Sequence, residues 1–438
     1  MIGLILVLFA AGALAGAWHQ ARARHDETLE QLHVRVHVNG IRGKSSVTRL
    51  VAAVLREGGY VTVAKTTGSA ARVIGPSGEE TPIDRAGAPT VNEQLEIVKR
   101  HVNRDVEALV IECMAVNPIY QKYAQESIVR SDITIITNVR EDHQEVMGET
   151  LEQIADSMSV TIPAGGTLIT AEERPGPRSR LLRNTAKRRA EFHYADATAV
   201  TDADMVNFDY LEFRSNVAIG LKVAEILGID RAVAMRGMWK AVPDVGALQL
   251  SSFAVEGKDI LWVPLFAAND RESVVAIFEM LAPQLAGRTT IGILNNRWDR
   301  GRRAELFADM AARDLQPFLD HVVTFGAYEP VVTNRLIDNG YPKDRITNLG
   351  ETVRPTLNQV VGTIAQLIPG QRGALIGLVN IHTAQAEMLL HYLNASRGAN
   401  NGAEVSMSLE ERRLPEAVRR YRNAVRTAAV SRSVGIHA

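Results

Sequence analysis

A glycine-rich loop at residues 40–46 holds the residue types that bind a nucleotide triphosphate. Its sequence, Gly-Ile-Arg-Gly-Lys-Ser-Ser, follows a β-branched run at 34–38 and precedes a helix-forming run at 47–55. Between a strand and a helix, glycines let backbone N–H groups approach phosphates closely. Lys44 would neutralise phosphate oxygens, and Ser45 would place a hydroxyl on Mg²⁺. The alternative is a glycine turn with a solvated lysine.

A carboxylate and a histidine stand at the ends of two further candidate strands. Glu112 lies near the end of the apolar run at 108–113, and His143 follows the run at 133–138. Polar groups at the carboxyl ends of parallel strands gather at one sheet edge, where ligands bind. Glu112 could bind a divalent cation, and His143 could bind a second ion or orient a phosphate. The alternatives are a surface glutamate and a histidine that only makes loop hydrogen bonds.

A cluster of positive charge lies in the second half of the chain. Residues 295–303 read Asn-Asn-Arg-Trp-Asp-Arg-Gly-Arg-Arg after another candidate strand. Guanidinium groups there, including those of Arg297 and Arg300, would suit an acidic substrate or a transferring phosphate. A solvated surface loop is the alternative.

The segments that position these residues alternate between β-rich runs and amphipathic helices. This pattern predicts an α/β fold, with a P-loop-type, mainly parallel sheet domain followed by a smaller Rossmann-like α/β domain. The predicted strands are residues 34–38, 61–65, 108–113, 133–138, 167–170, 260–266, 290–294, 321–325 and 374–378. The predicted helices that separate them include 92–102, 150–160, 273–281, 303–313 and 356–367.

The first 18 residues are apolar and uncharged, and Arg22 and Arg24 follow. A helix of this length spans about 27 Å, close to the thickness of the bilayer hydrocarbon. Because basic residues stay cytoplasmic, we expect a single transmembrane helix in the cytoplasmic (inner) membrane, with the remaining chain in the cytosol. A cleaved signal peptide and a buried core helix are the alternatives.

Composition agrees with a cytosolic body. The only cysteine is Cys113, so no intrachain disulfide can form, and 49 basic against 50 acidic residues argue against a nucleic-acid partner. The expected domains are an anchor at 1–20, a nucleotide-binding domain at 21–250, a second α/β domain at 251–395, and a linker and flexible tail at 396–438.

The spacing of these motifs resembles that of the Mur ligase superfamily, the ATP-dependent amide-forming ligases. Residues 40–46 are similar to its nucleotide loop, and Glu112 is at the position of its Mg²⁺-binding glutamate. Residues 137–148, with Thr-Asn, Asp-His and a final glycine, are similar to the segment whose histidine binds a second Mg²⁺. Asn216 is at the position of an asparagine near the adenine. Ser157 departs from the family pattern, since a carbamylated lysine is usual there.

Longer strings resemble the ligase subunit of poly-γ-glutamate synthases, the CapB/PgsB family. They are residues 39–45, 65–68, 112–118, 266–270 and 379–382. The resemblance implies ATP with Mg²⁺ or Mn²⁺ as cofactors, and glutamate and a poly-γ-glutamate chain as substrates. It also implies small integral-membrane partner subunits and leaves a homo-oligomer open.

The resemblance assigns roles to particular residues. Lys44, Glu112 and His143 are the expected catalytic residues, and Ser45, Glu112 and His143 the expected metal ligands. The expected nucleotide contacts are Asn39, Gly40, Ile41, Arg42, Gly43, Lys44, Ser45, Ser46, Asn216, Asn269 and Arg297. The expected substrate contacts are Thr66, Thr67, Arg72 and Arg300; for Arg72, a surface ion pair is the alternative.

The function expected from the sequence is ATP-dependent polymerisation of glutamate through its γ-carboxyl groups by way of an acyl phosphate. One alternative is a membrane-anchored NTPase that powers polymer assembly or export. Another is a different Mur-type ligase, for example one that acts on folate or a cell-wall precursor. A non-catalytic scaffold would leave the lysine, serine, glutamate and histidine unexplained.

Overall fold

The computed structural model describes residues 2–67, 71–85, 87, 89–208, 210–244, 248, 250–265, 271–296, 301–350, 355–379 and 389. The chain divides into two compact units, residues 1–247 and 248–438. Three of the predicted site residues, Asn269, Arg297 and Arg300, lie outside the described residues, as does the predicted linker and tail at 396–438.

The first unit is built on an eight-stranded sheet with the order β4-β3-β2-β5-β1-β6-β7-β8. Its strands are β1 (Val34–Asn39), β2 (Thr62–Lys65), β3 (Arg72–Ile74), β4 (Glu80–Pro82), β5 (Ala108–Glu112), β6 (Ile133–Ile136), β7 (Thr167–Thr170) and β8 (Glu191–Tyr194). The helices are α1 (Ile2–Glu30), α2 (Lys44–Glu57), α3 (Asn92–His101), α4 (Pro118–Tyr123), α5 (Gln144–Met147), α6 (Leu151–Met158), α7 (Pro175–Lys187), α8 (Asp202–Met205), α9 (Arg214–Ile226) and α10 (Arg231–Trp239).

The centre of this sheet is parallel, as the sequence predicts. β1 pairs in parallel with β5 and β6, and each of these three strands is almost wholly buried. Only β3 and β4 add antiparallel pairs. Parallel strands covered by helices on both faces need continuous apolar runs, which explains why these strands can be recognised in the sequence.

The second unit contains a six-stranded sheet with the order β13-β12-β11-β14-β10-β9. Its strands are β9 (Ser251–Val255), β10 (Lys258–Val263), β11 (Thr289–Asn296), β12 (His321–Gly326), β13 (Ile346–Asn348) and β14 (Arg372–Val379). Its helices are α11 (Arg271–Leu285), α12 (Gly301–Arg313), α13 (Glu329–Asp338) and α14 (Leu357–Leu367). Only β9 is antiparallel to its neighbour, so the predicted parallel α/β character holds for this unit as well.

The N-terminal helix α1 extends well past the predicted anchor, as far as Glu30. Its second half packs on the first unit: Leu29 is fully buried, and the His25 ring hydrogen-bonds the Ile128 carbonyl at 2.9 Å. Within the described residues, no helix combines the length and the apolar character needed to cross a membrane. The predicted transmembrane helix is therefore not found in this part of the chain.

Helix α2 is the element that carries the predicted nucleotide loop into the core. Its residues Val47 to Leu55 are all buried, and it packs on α9 and α10 as well as on the sheet. Gly237 of α10 allows this packing, because a Cβ there would lie 2.5 Å from the Ala53 carbonyl oxygen. The start of α2 is thereby fixed at the carboxyl edge of β1.

Candidate active site

The start of α2 presents unsatisfied backbone donors. Its N-cap residue is Gly43, in the left-handed region with φ 79°, so no side chain caps the first turn. The helix's first backbone bond runs from Val47 N to the Gly43 carbonyl, at 2.9 Å. The amides of Lys44, Ser45 and Ser46 are thus in the first turn, where a helix attracts an anion. This end of α2 fits a phosphate group.

Gly40 lets the loop pass against the neighbouring strand end. Its φ is +128°, and a Cβ there would overlap Thr137 Oγ1 and lie 2.9 Å from Thr137 N. Only glycine tolerates both conditions. The glycine that the sequence marks as part of a phosphate loop is therefore needed for a close contact between two strand ends.

Thr137 and Asn138 hold the loop backbone at Arg42. Thr137 Oγ1 and Asn138 Nδ2 donate to the Arg42 carbonyl at 2.6 and 3.0 Å, and Arg42 N donates to Asn138 Oδ1 at 3.1 Å. The Arg42 guanidinium forms an ion pair with Asp142 at 3.1 Å. The Thr-Asn and Asp-His motif thus shapes the phosphate loop through hydrogen bonds, a role that the sequence analysis did not assign to it.

The Lys44 side chain folds back over the loop in which it is expected to bind phosphate. Its Nζ donates to the carbonyls of Gly40 at 2.8 Å and Ile41 at 3.2 Å. Both acceptors are neutral carbonyl groups, so the ammonium charge is available to a phosphate in the loop. Ile41 itself is buried.

Ser45 and Glu112 meet at the carboxyl edge of the sheet. Ser45 Oγ donates to Glu112 Oε2 at 2.8 Å, and Glu112 is only 3% exposed. Thr67 also donates to this carboxylate, through its amide at 2.7 Å and its hydroxyl at 3.2 Å. A hydroxyl and a carboxylate are hard oxygen ligands of the kind that Mg²⁺ and Mn²⁺ prefer, so the pair fits such an ion.

His143 occupies an exposed turn. Its φ is 49°, its side chain is 48% exposed, and its ring nitrogens lie 3.8 Å from Asp142 and 3.6 Å from Glu145. In the part of the chain that the structure describes, no three His, Cys, Asp or Glu side chains are grouped to hold a metal ion. The structure therefore joins Ser45 to Glu112, while the metal role of His143 stays a prediction.

The predicted substrate residues Thr66 and Arg72 face each other across the β2–β3 connection. Thr66 N donates to the Arg72 carbonyl at 2.9 Å, and Arg72 N donates to Thr66 Oγ1 at 3.2 Å. The Arg72 Nε is buried and has no hydrogen-bond partner among the described residues. A donor in that state is suited to a carboxylate ligand. Because Thr67 contacts Glu112, this connection adjoins the candidate metal position.

Lys65 is a buried charge that the sequence analysis missed. The side chain is fully buried at the end of β2, and its Nζ lies 2.8 Å from Glu93 Oε1. Burial lowers the pKa of Lys65, opposed by Glu93. Burial also disfavours ionised Glu93, but hydrogen bonds from Arg85 and Lys65 outweigh it and bring the Glu93 pKa to about 2. In the sequence, the one indication that this charge is buried is its position at the end of a β-rich run.

Glu212 is a second buried group that the sequence did not reveal. It accepts a hydrogen bond from Asn216 Nδ2 at 2.7 Å and one from Phe213 N at 2.8 Å. Burial raises the pKa of Glu212 to about 7, partly offset by these bonds. Asn216 in turn touches the loop, because a Cβ on Gly43 would lie 2.9 Å from Asn216 Oδ1. The predicted nucleotide residue Asn216 is thus placed at the phosphate loop and oriented by Glu212.

Three further residues that the sequence analysis singled out lie in or near the loop and are described by their hydrogen bonds and burial. Asn39 donates to Gln121 Oε1 at 2.8 Å and accepts from Gly40 N at 2.8 Å, so its side chain organises the loop from beneath. Ser46 lies in the first turn of α2 and is partly buried. Ser157, at the position of the family's carbamylated lysine, donates to the Met147 carbonyl at 2.7 Å.

Two family models match the chain. Residues 38–208 match the Mur ligase middle domain, and residues 250–396 match the poly-gamma-glutamate synthase CapB C-terminal domain. The chain is 37% identical over 358 residues to the capsule biosynthesis protein CapB of Bacillus anthracis, which covers 79% of this chain and 75% of that protein. It is also 37% identical to the PGA synthase CapB of Bacillus subtilis strain 168, over 75% of this chain and 83% of that protein. The chain belongs to the CapB family.

The fold of this CapB-family chain is similar to a solved structure of a folate ligase. This is the bifunctional folylpolyglutamate synthase/dihydrofolate synthase from Yersinia pestis, complexed with AMPPNP and a Mn ion. The TM-score is 0.58 at 13% identity, covering 85% of this chain and 92% of that chain. The prediction of the family from the sequence is confirmed, as is the prediction of an ATP-dependent amide ligase.

Proposed function

We propose that this ligase polymerises glutamate through its γ-carboxyl groups by first converting the carboxylate to an acyl phosphate. The observation that carries the proposal is the convergence of Lys44, Ser45 and Glu112 at the uncapped start of α2. The family matches supply the reaction class. A carboxylate needs such activation, because its leaving group would otherwise be oxide.

Phosphoryl transfer depends on positioning and on charge neutralisation rather than on covalent help from the protein. The amides of the first turn of α2 would hold the phosphates, and the Lys44 ammonium would exchange its carbonyl partners for phosphate oxygens. Ser45 and Glu112 would hold Mg²⁺ or Mn²⁺. The bound ion would neutralise part of the charge on the triphosphate.

The glutamate substrate would bind beside this centre through the β2–β3 connection. Thr67 already donates to Glu112, and the unpartnered Arg72 Nε is available for a carboxylate. An amine of the incoming residue would attack the acyl carbon, form the amide and release phosphate. Nucleotide contacts from Asn216, and metal binding by His143, belong to the same proposal.

The test is a single substitution at the phosphate loop. Lys44→Ala should abolish glutamate-dependent ATP hydrolysis and polymer formation, a loss of at least about 100-fold, because phosphoryl transfer loses its cation. Lys99→Ala, at an exposed position of α3, is the matched control and should leave both activities unchanged. Full activity of the Lys44→Ala protein would remove the loop from the mechanism.

The same assay separates the ligase from an ATP-driven assembly or export machine. A ligase consumes ATP only when glutamate and an acceptor are present, and it yields ADP with an equal amount of new amide bonds. Hydrolysis that is independent of glutamate would favour the alternative.

We further propose that α1 attaches the enzyme to the cytoplasmic membrane, with both units in the cytosol. Large apolar side chains between residues 8 and 18 of this helix are exposed, namely Leu8, Phe9, Leu14 and Trp18. The second half is held on the first unit through Leu29 and His25. Since a polyanion must leave the cell, small membrane-embedded subunits are the expected partners. Self-association of the enzyme is a further proposal.

A further inference from the structure

A cavity of about 300 Å³ lies in the first unit, along the second half of α2. Arg49, Ala53 and Arg56 of α2 line it together, because positions i, i+4 and i+7 share one face of a helix. Gly78 of the β3–β4 turn and Lys240 at the end of α10 also line it. Along the helix axis, Arg49 and Arg56 lie about 8 and 18 Å from Lys44, and neither Lys44 nor Ser45 lines the cavity, so the two sites are distinct.

Arg49 is buried in this cavity wall with part of its guanidinium unsatisfied. Its side chain is 3% exposed, and Nη1 donates to Glu80. Its Nη2 lies 3.6 Å from Asp244 Oδ1, too far for a hydrogen bond. Within the described residues, neither Nε nor Nη2 has a hydrogen-bond partner. Buried donors in this state are costly unless a ligand or water satisfies them.

Arg56 brings a second guanidinium to the same space. Its Nη1 is also buried and without a hydrogen-bond partner in the described part of the chain. Burial lowers the pKa of Arg56, and Glu79 and Glu80 only partly oppose this effect. The two carboxylates on the wall are already paired: Glu57 Oε2 lies 2.8 Å from Lys240 Nζ, and Glu80 accepts a hydrogen bond from Arg49. Among the described residues of this wall, the buried side-chain atoms without a hydrogen-bond partner are therefore all donors.

We propose that this cavity binds a small oxyanion, a carboxylate or a phosphate group, between the guanidinium groups of Arg49 and Arg56. An oxyanion offers several acceptors in the planar arrangement that guanidinium groups recognise. The volume suits a molecule as small as a dicarboxylic acid or inorganic phosphate. Binding here does not depend on the proposed ligase reaction.

Calorimetric titration of the full chain tests this site. The Lys44→Ala background weakens anion binding at the phosphate loop, and glutarate and inorganic phosphate are titrated separately at matched ionic strength. We expect at least one to bind, and to bind at least about tenfold more weakly when Arg56→Gln or Arg49→Lys is added. The anion that binds distinguishes a carboxylate site from a phosphate site. Arg100→Gln, at an exposed position of α3, is the control and should not alter the affinity.

A second measurement needs no change to the cavity itself. In hydrogen–deuterium exchange of the Lys44→Ala protein, the bound anion should slow exchange of the β3–β4 turn at residues 75–79. The proposal is overturned if neither anion binds, if the cavity variants bind as tightly as their parent, or if the turn gains no protection. Each of these results is independent of whether Lys44 serves catalysis.

Discussion

Single residues at the carboxyl edge of the sheet combine the roles proposed for them in catalysis with structural support. Glu112 accepts three hydrogen bonds from Ser45 and Thr67, so its carboxylate is fixed before any ion binds. Asn216 is held in a similar way, because its amide nitrogen donates to the buried Glu212 carboxyl at 2.7 Å. Such fixed groups lose little entropy when a ligand binds.

Removing the charge of Glu112 tests its metal role. Glu112→Gln keeps the size of the side chain but replaces one oxygen by an NH₂ group. We expect the Mg²⁺ concentration for half-maximal ATP hydrolysis to rise by about tenfold or more, since a charged ligand is lost. Thr67→Val, which removes one hydroxyl that donates to Glu112, should cause a smaller rise in this Mg²⁺ concentration. An unaltered Mg²⁺ dependence in Glu112→Gln would contradict the assignment.

The raised pKa of Glu212 predicts a pH-dependent stability. Its pKa is 4.5 in the unfolded chain and about 7 when folded, so the native state binds more protons between these values. Stability should therefore fall as pH rises from 4.5 to 7, by up to about 3 kcal/mol, and stay low above that.

Urea unfolding at pH 5, 6 and 7 measures this effect. Glu212→Gln should show a flatter pH dependence than the parent. Glu96→Gln, at an exposed position of α3, serves as the control and should follow the parent. Parallel curves for the parent and Glu212→Gln would show that Glu212 titrates normally.

At the scale of elements, the site depends on how α2 starts and on what lies behind it. The loop before α2 is held by Thr137 and Asn138 from the end of β6, and α2 itself is buried against α9 and α10. A change in the loop should therefore displace the end of β6 as well, because both α2 and β6 are packed in the core and cannot shift independently.

Gly40 is the position where this coupling can be tested. Gly40→Ala should reduce ATP affinity by at least about tenfold, because the added methyl group would displace Thr137 and with it the loop. Gly59→Ala is a matched control: Gly59 also has a positive φ, +96°, but a Cβ at this position would meet no atom within 4 Å. It should lower the melting temperature slightly and leave ATP affinity intact. Equal ATP affinities for the two variants would refute a steric role for Gly40.

At the scale of the whole molecule, the chain forms two α/β units, and the N-terminal helix of the first unit carries exposed apolar side chains between residues 8 and 18. Each unit has its own sheet and its own core, so each can hold its chemistry on a rigid support. The second half of helix α1 packs on the rest of the first unit through His25 and Leu29. The exposed apolar segment at residues 8–18 is where we expect a membrane to contact the enzyme.

Charge substitution in α1 tests the membrane proposal on the full chain. Leu8→Glu combined with Leu14→Glu should move the protein from the membrane to the soluble fraction, because a buried carboxylate is costly in hydrocarbon. Leu182→Glu, at an exposed position of α7, should leave the protein in the membrane fraction. Glutamate-dependent ATP hydrolysis should survive in both. Unchanged fractionation of the α1 variant would refute attachment through this helix.

The sequence by itself determined the features that depend on neighbouring residues. The strand, glycine loop and helix at residues 34–57, the apolar parallel strands and the position of Glu112 at the end of one of them could be predicted, because local spacing is enough to define these features. The short strands β3 and β4 could not be predicted from the sequence. They are partly polar, and they are stabilised by pairing with neighbouring strands rather than by a hydrophobic pattern of their own. The tertiary structure alone decided the Lys65–Glu93 pair, the Glu212–Asn216 contact and the cavity beside Arg49. Burial and charge compensation depend on which distant segments pack together, and no local pattern encodes that.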